Sequence, residues 1–364
     1  MHQRLEKLTH WLKENDIQAA FLSSTPSVFY MSQFHCEPHE RLLGLFVFQE
    51  AEPLLVCPKM EEAAAKKTWK YDILGYTDTD NTWDMIGKAL QARGIKGHSI
   101  AIEKEHLNVE RYEYLRSLFP EASFISAESQ INELRLVKDE QELTILRQAA
   151  SMADFAIEIG VNEIAEGKTE LEILATIENE IKKKGINKMS FDTMVLTGAN
   201  SALPHGVPGL NRIESGDFVL FDLGVVIDGY CSDITRTVAF RSVNEEQQRI
   251  YDTVLAGQLK AIEACKPGVA IAEIDKAARS TIADAGYGQY FPHRLGHGLG
   301  ISVHEYPSIT DVNETPLKEG MVFTIEPGIY VPNVGGVRIE DDIYVTKDGV
   351  EILTKFPKEL QLIK

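Results

Sequence analysis

No stretch of this sequence approaches the roughly 18 uninterrupted apolar residues that a membrane-spanning helix needs. Its opening, Met-His-Gln-Arg-Leu-Glu-Lys-Leu, puts charges where a secretory leader keeps its apolar segment, so the expected location is the cytoplasm. Cysteine is sparse. Cys36, Cys57, Cys231 and Cys265 form no CxxC pair and no disulfide-framework spacing, and they read as reduced, mostly buried thiols. Positive charge is also short: Lys and Arg number 37 against 55 Asp and Glu, a formal net charge of -18. Phosphate backbones demand a clustered basic surface, so nucleic acid is not an expected partner, and the missing apolar run removes the membrane as one. Several catalytic signatures are absent as well. There is no GxSxG nucleophile elbow, no HExxH zincin helix, no GxxxxGK(S/T) loop and no GxGxxG fingerprint after a strand.

What the chain has is ordinary globular composition, 44% hydrophobic and 25% charged over 364 residues, enough to bury two cores. Its surplus of acid means solubility by default, or carboxylates neutralised by bound cations if particular residues converge. The first part alternates helical and strand-like segments. Leu5, Leu8 and Leu12 line one face of an opening helix, an apolar run follows at Ala19 to Leu22, and strands are expected at Leu43 to Phe48, Leu54 to Cys57 and Ile100 to Ile102. Glu61 to Lys67 and Trp83 to Arg93 read as helices, the second stopped by Gly94. Phe119 to Ser129 reads as a short polar connection, after which Asp139 and Glu142 supply a capping box for a long helix through Glu158. This predicts an α/β domain over residues 1–128 and a second domain over 129–364.

The second domain matches itself. Gly167 and Gly185 bracket a segment with Glu172, Ile173 and Ile181; Gly268 and Gly286 bracket one with Glu273, Ile274 and Ile282, every pair offset by 101. Further on, Asp222 and Glu326 each lie six residues past a glycine, Gly216 and Gly320, at an offset of 104. Asp233 and Glu340 each lie four past Gly229 and Gly336, at an offset of 107. Each half therefore reads as helix, loop and a strand pair with one carboxylate per strand. Two such halves face to face converge four carboxylates.

Asp222 sits in Phe-Val-Leu-Phe-Asp-Leu-Gly, where strand alternation puts it on the face of Phe218 and Leu220. A buried carboxylate must be protonated, ion-paired, hydrogen-bonded or bound to metal. Glu326, in Val-Phe-Thr-Ile-Glu-Pro-Gly, poses the same question. Taken singly, each suits an arginine partner as well as a cation; together with Asp233 and Glu340 the balance moves to metal. The second domain holds His205, His293, His297 and His304, the last three in Phe-Pro-His-Arg-Leu-Gly-His-Gly-Leu-Gly-Ile-Ser-Val-His-Glu, whose glycines permit close backbone approach. Carboxylates with one imidazole suit manganese, cobalt, iron or zinc rather than a thiolate-preferring ion. Asp217, Asp228, Asp341 and Asp342 stand near these acids but read as solvated, capping or supporting residues.

Asp222, Asp233, His297, Glu326 and Glu340 resemble, in order and spacing, the five metal ligands of the pita-bread metallopeptidases, and His293 to Glu305 resembles the signature of the proline-specific members of that family, the Xaa-Pro dipeptidases (prolidases) and Xaa-Pro aminopeptidases. The resemblance implies an α/β (α+β) fold, with a creatinase-like N-terminal domain before a duplicated pita-bread catalytic domain. It also implies two divalent ions, manganese first with cobalt, iron or zinc as alternatives, and hydrolysis of the Xaa-Pro bond in dipeptides by a metal-bridging hydroxide. Asp233 and Glu340 are implied as bridging ligands, Asp222 as completing one site, and His297 with Glu326 as completing the other. Glu326 is the implied proton shuttle; His205, His293, His304 and Arg338 are the implied outer-shell and substrate-binding positions. Arg338 suits a substrate carboxylate because its planar guanidinium can bind both oxygens. A homodimer is implied, in which His39 or Arg41 of the first domain approaches substrate. Tyr30 to Phe34 resembles a family segment in which glycine commonly stands where this chain has Gln33, so the loop conformation there is an open question. His35, Cys36 and His39 lack the second ligand cluster a zinc site needs.

Three functions compete. A dipeptidase must contact the proline carboxylate and block extension, whereas an aminopeptidase on longer peptides must leave that end open. A pita-bread domain kept as a binding module has no need of the five ligands, nor has a metal-free relative acting on creatine-like substrates.

Overall fold

The computed structural model describes residues 2–364. It divides into two compact units, the first ending at Arg135 and the second running Leu136–Lys364. Position 129, where the sequence places a boundary, lies inside a helix that spans Glu128–Leu136.

In the first unit a six-stranded mixed sheet is built from β1 (Ala19–Leu22), β2 (Gly44–Phe48), β3 (Leu54–Pro58), β4 (Asp72–Tyr76), β5 (Ser99–Ile102) and β6 (Ser123–Ser126), ordered β4-β3-β2-β1-β5-β6. The helices are α1 (His2–Glu14), α2 (Thr25–Ser32), α3 (Glu62–Ala65), α4 (Thr82–Ala92), α5 (Val109–Leu118) and α6 (Glu128–Leu136). Central strands β1, β2 and β3 are buried on both faces and read as continuous apolar runs. The edge strand β6 falls within the segment read as a polar connection. Its ends, Ser123 and Ser126, are exposed and its apolar signal is only Phe124-Ile125, so pairing with β5 rather than local pattern makes it a strand. Gln33 caps α2 with φ 55°, a left-handed conformation that costs a side-chain-bearing residue and suits glycine.

The second unit opens with α7 (Glu140–Asn162), started by the Asp139–Glu142 capping box, and α8 (Glu170–Lys183), started by a Thr169–Glu172 box. Strands β7 (Met194–Thr197), β8 (Phe218–Leu223), β9 (Val226–Ile227), β10 (Tyr230–Cys231) and β11 (Ile234–Phe240) follow, then α9 (Glu245–Ala264) and α10 (Ile271–Asp284). The remaining strands are β12 (Gly296–Gly298), β13 (Glu305–Ile309), β14 (Val322–Ile325), β15 (Gly328–Val331), β16 (Gly335–Arg338), β17 (Asp341–Val345), β18 (Val350–Ile352) and β19 (Leu362–Ile363). Two helices followed by an antiparallel strand pair therefore occur twice: α7, α8, then β8 with β11; α9, α10, then β14 with β17. Each half has its own core. Ile157, Ile177, Val219 and Phe221 belong to one, and Ile250, Ile274, Phe323 and Ile343 to the other. The matched glycines share conformation: φ is 79° and 87° at Gly167 and Gly268, 88° and 90° at Gly185 and Gly286, and 95° and 90° at Gly216 and Gly320. Among the described residues, no helix is long and apolar enough to cross a membrane.

Candidate active site

The five expected ligands lie at strand ends because each strand pair delivers one acid from within or just past its first strand and one from just before its second. Asp222 is on β8 opposite Thr235, and Asp233 immediately precedes β11. Glu326 immediately follows β14, and Glu340 immediately precedes β17. His297 is the middle residue of β12, at a bulge. Its neighbours must be glycine there: a Cβ on Gly296 would stand 2.0 Å from the Thr324 carbonyl oxygen, and one on Gly298 2.3 Å from that of Tyr306.

The two halves are tied together at the acids. The Glu340 amide donates to the Thr235 carbonyl at 3.1 Å, and the Asp233 amide donates to Asp342 Oδ2 at 3.1 Å. Thr235 Oγ1 also donates to Glu340 Oε2 at 2.6 Å. Asp233, His297 and Glu340, all buried, bring ligand atoms within 4.8 Å of one another. His297 Nε2 lies 3.3 Å from Glu326 Oε1 and 3.7 Å from Asp233 Oδ2. Asp222 faces the same cavity, with its Oδ2 held by Arg338.

Burial and mutual repulsion raise the pKa values of Asp233, Glu326 and Glu340. Desolvation, then Glu340 and Asp222, push Asp233 well above the usual range; desolvation, then Glu326 and Asp222, do the same to Glu340. Burial pushes Glu326 up to about 8. The imidazoles shift the other way, His297 to about 3 and His293 to about 4, chiefly because burial disfavours their charged forms. A cluster of acids that resists ionisation beside a neutral imidazole is set to gain from a cation. Two buried oxygens point the same way: Asp222 Oδ1 and Asp233 Oδ1 have no hydrogen-bond partner. The donor set therefore fits hard or borderline divalent ions.

These residues line a cavity of about 330 Å³ together with His205, His293, His304 and Arg338. His205 and His304 are exposed, and the His304 ring meets His297 edge-on at 4.1 Å. Arg338 is buried, and most of its donors are engaged by the protein: Nε by Thr235 Oγ1 at 3.1 Å, Nη1 by the Tyr330 hydroxyl at 2.8 Å and the Pro204 carbonyl at 3.2 Å, and Nη2 by Asp222. Asp341 and Asp342 are buried rather than solvated. Asp341 pairs with Arg236 at 2.7 Å and Lys358 at 2.6 Å, and Asp342 braces the Asp233 backbone. Asp228 is an exposed turn residue with φ 46°, and Asp217 accepts from Thr197 Oγ1 and the Glu214 amide.

Sequence reasoning missed Tyr330, whose hydroxyl also meets His293 Nε2 at 2.9 Å. Tyr330 lies on β15, which pairs with the strand that ends at Arg338. Sequence reasoning also missed Arg294 and the apolar wall of Phe191, Met194 and Val303. Phe191 and Met194 lie well before the acids in sequence, and only folding brings them to the cavity.

A duplicated α/β unit that buries carboxylates and a neutral histidine around one cavity defines a class of divalent-metal proteins. The chain belongs to metallopeptidase family M24, whose model matches residues 144–347, and it carries the creatinase/prolidase N-terminal domain over residues 4–137. It is 54% identical to the protein YkvY of Bacillus subtilis strain 168 over 99% of both chains. Among solved structures it is similar to the prolidase from Pyrococcus horikoshii OT3 (TM-score 0.91, 40% identity, 99% of this chain and 100% of that one). It is also similar to an Xaa-Pro dipeptidase from Bacillus anthracis (0.92, 35%, 99% of both) and the X-Pro aminopeptidase from Thermotoga maritima MSB8 (0.87, 33%, 96% and 98%). The fold is accordingly a creatinase-like domain followed by a pita-bread domain, and the family uses divalent metal ions.

Proposed function

We propose that the chain is an Xaa-Pro dipeptidase that works with two divalent cations, manganese first, as a homodimer in the cytoplasm. The observation that carries this reading is the buried group of Asp233, His297 and Glu340 beside Asp222 and Glu326, with carboxylate oxygens left unpartnered. Those five residues would hold the cations, which when bound would supply the Lewis acidity that polarises a peptide carbonyl and lowers the pKa of water.

The side chains do the rest. As the water oxygen adds to the scissile carbonyl carbon, Glu326, ionised when the cations are bound, takes a proton from it. Glu326 returns that proton to the proline nitrogen as the C–N bond breaks. Because an Xaa-Pro amide has no N–H, the substrate is recognised through its ring and its charged ends. His205, His293, His304 and Arg338 line the substrate side of the cavity, with most Arg338 donors held by the protein. A cavity near the small end of the roughly 300–1,000 Å³ range of ligand sites favours a dipeptide.

The aminopeptidase reading keeps support from the Thermotoga maritima structure. Hydrolysis of Ala-Pro and Ala-Pro-Ala with manganese, beside a Glu340→Ala control, separates the two. The dipeptidase reading expects cleavage of Ala-Pro alone, lost in the variant. Faster alanine release from the tripeptide makes the chain an aminopeptidase, and no metal-dependent cleavage of either overturns both.

A further inference from the structure

We infer that Glu170 is a positioning residue that fixes the loop 198–211, which carries Pro204 and His205 to the cavity; its catalytic consequence rests on the function proposed above.

Glu170 is the first residue of α8 and fully buried. Its carboxylate accepts from the Thr197 amide at 2.7 Å, Asn200 Nδ2 at 2.9 and 3.1 Å, the Gly209 amide at 2.7 Å and Asn211 Nδ2 at 3.1 Å. These donors are neutral, and all belong to the loop or its first flanking residue. Capping α8 is not the purpose, because Thr169 and Glu172 already form the box.

The internal repeat supplies the control. At the matching position, 101 residues on, stands Ile271. The backbone clasp is present in both halves: the Glu170 amide donates to the Asn211 carbonyl at 3.2 Å, and the Ile271 amide to the Thr315 carbonyl at 3.0 Å. A carboxylate is therefore an addition peculiar to the first half. The reason lies in the loops. After His304 the chain enters β13, which the backbone ladder pairs with β12. After His205, residues 206–211 form no strand, and side-chain hydrogen bonds take the ladder's place. The fixed loop then presents the Pro204 carbonyl to Arg338 Nη1 at 3.2 Å, and Ser201 Oγ accepts from the Gly336 amide at 2.9 Å.

The test is Glu170→Gln, which turns an N–H group towards donors. Hydrogen exchange at residues 197–211 is expected to quicken about tenfold, and kcat/KM for Ala-Pro to fall about tenfold. In a His205→Ala background the same substitution is expected to cause a clearly smaller fall, because the loop then has only the Pro204 contact to Arg338 left to position. Equal losses in both backgrounds, or unchanged exchange, overturn the inference. Should Glu170→Gln not fold, Asn211→Ala removes one donor from an exposed position and is expected to raise exchange in the same segment. If no protein cleaves Ala-Pro, the proposed function fails, while exchange still decides whether Glu170 holds the loop.

Discussion

Arg338 holds Asp222 by one carboxylate oxygen and leaves the other buried without a partner. The guanidinium thereby orients a candidate ligand while also joining Tyr330, Pro204 and Thr235. It is a hub between the acids and the cavity wall, and a point charge cannot replace its planar fork.

Arg338→Lys is therefore expected to weaken binding of divalent metal about 10- to 100-fold and to lower kcat/KM at least as much. Metal titration beside steady-state kinetics checks this. Unchanged metal affinity would show that Asp222 is oriented without Arg338.

Metal removal should make stability fall as pH rises towards 8. Glu326 rises from its ordinary 4.5 to about 8 in the fold, so the folded protein holds more protons than the unfolded chain between those values, and stability falls as pH rises through the interval. His297 and His293, depressed to about 3 and 4, act oppositely, but only below the ordinary 6.5 of histidine. From pH 6.5 to 8 the carboxyls act alone. Releasing one proton over that span costs about 2 kcal/mol, so the melting temperature of chelator-treated protein should fall by roughly 5 °C. With manganese bound, the acids are already ionised and the fall should vanish. Calorimetry on both forms at the two pH values measures it.

Gln33→Gly should stabilise the first unit. Gln33 occupies a left-handed conformation at the end of α2, and its amide donates to the Phe29 carbonyl at 2.7 Å, a bond glycine keeps. A gain of about 1 kcal/mol is expected in urea unfolding. A loss would mean that the Gln33 side chain contributes more than its backbone costs.

The four cysteines should be inert in the native state. Burial is the leading cause that pushes Cys36 and Cys231 up to about 11 and Cys57 and Cys265 up to about 12, so the reactive thiolate is scarce. An aromatic disulfide reagent at pH 8 should titrate none within minutes and all four after denaturation. Rapid labelling of the native protein would show that the second unit or the first opens readily.

Sequence alone determined the parts governed by local chemistry. The α7 capping box and the glycines at the helix ends need only neighbouring residues to act, so their spacing could be read directly. Acids at matched places in both repeats could be read too, because a carboxylate inside an apolar strand demands a partner. Tertiary structure decided who those partners are. Asp341 and Asp342 read as solvated, capping or supporting residues; the fold makes them supporting, with Arg236 and Lys358 neutralising Asp341 and the Asp233 backbone bonding Asp342. Arg338 read as suited to a substrate carboxylate, and the fold spends most of its donors on Asp222, Tyr330, Pro204 and Thr235. Strand β6 and the Glu170 clasp were hidden for the same reason: hydrogen bonds between residues distant in the chain leave no periodic trace in it.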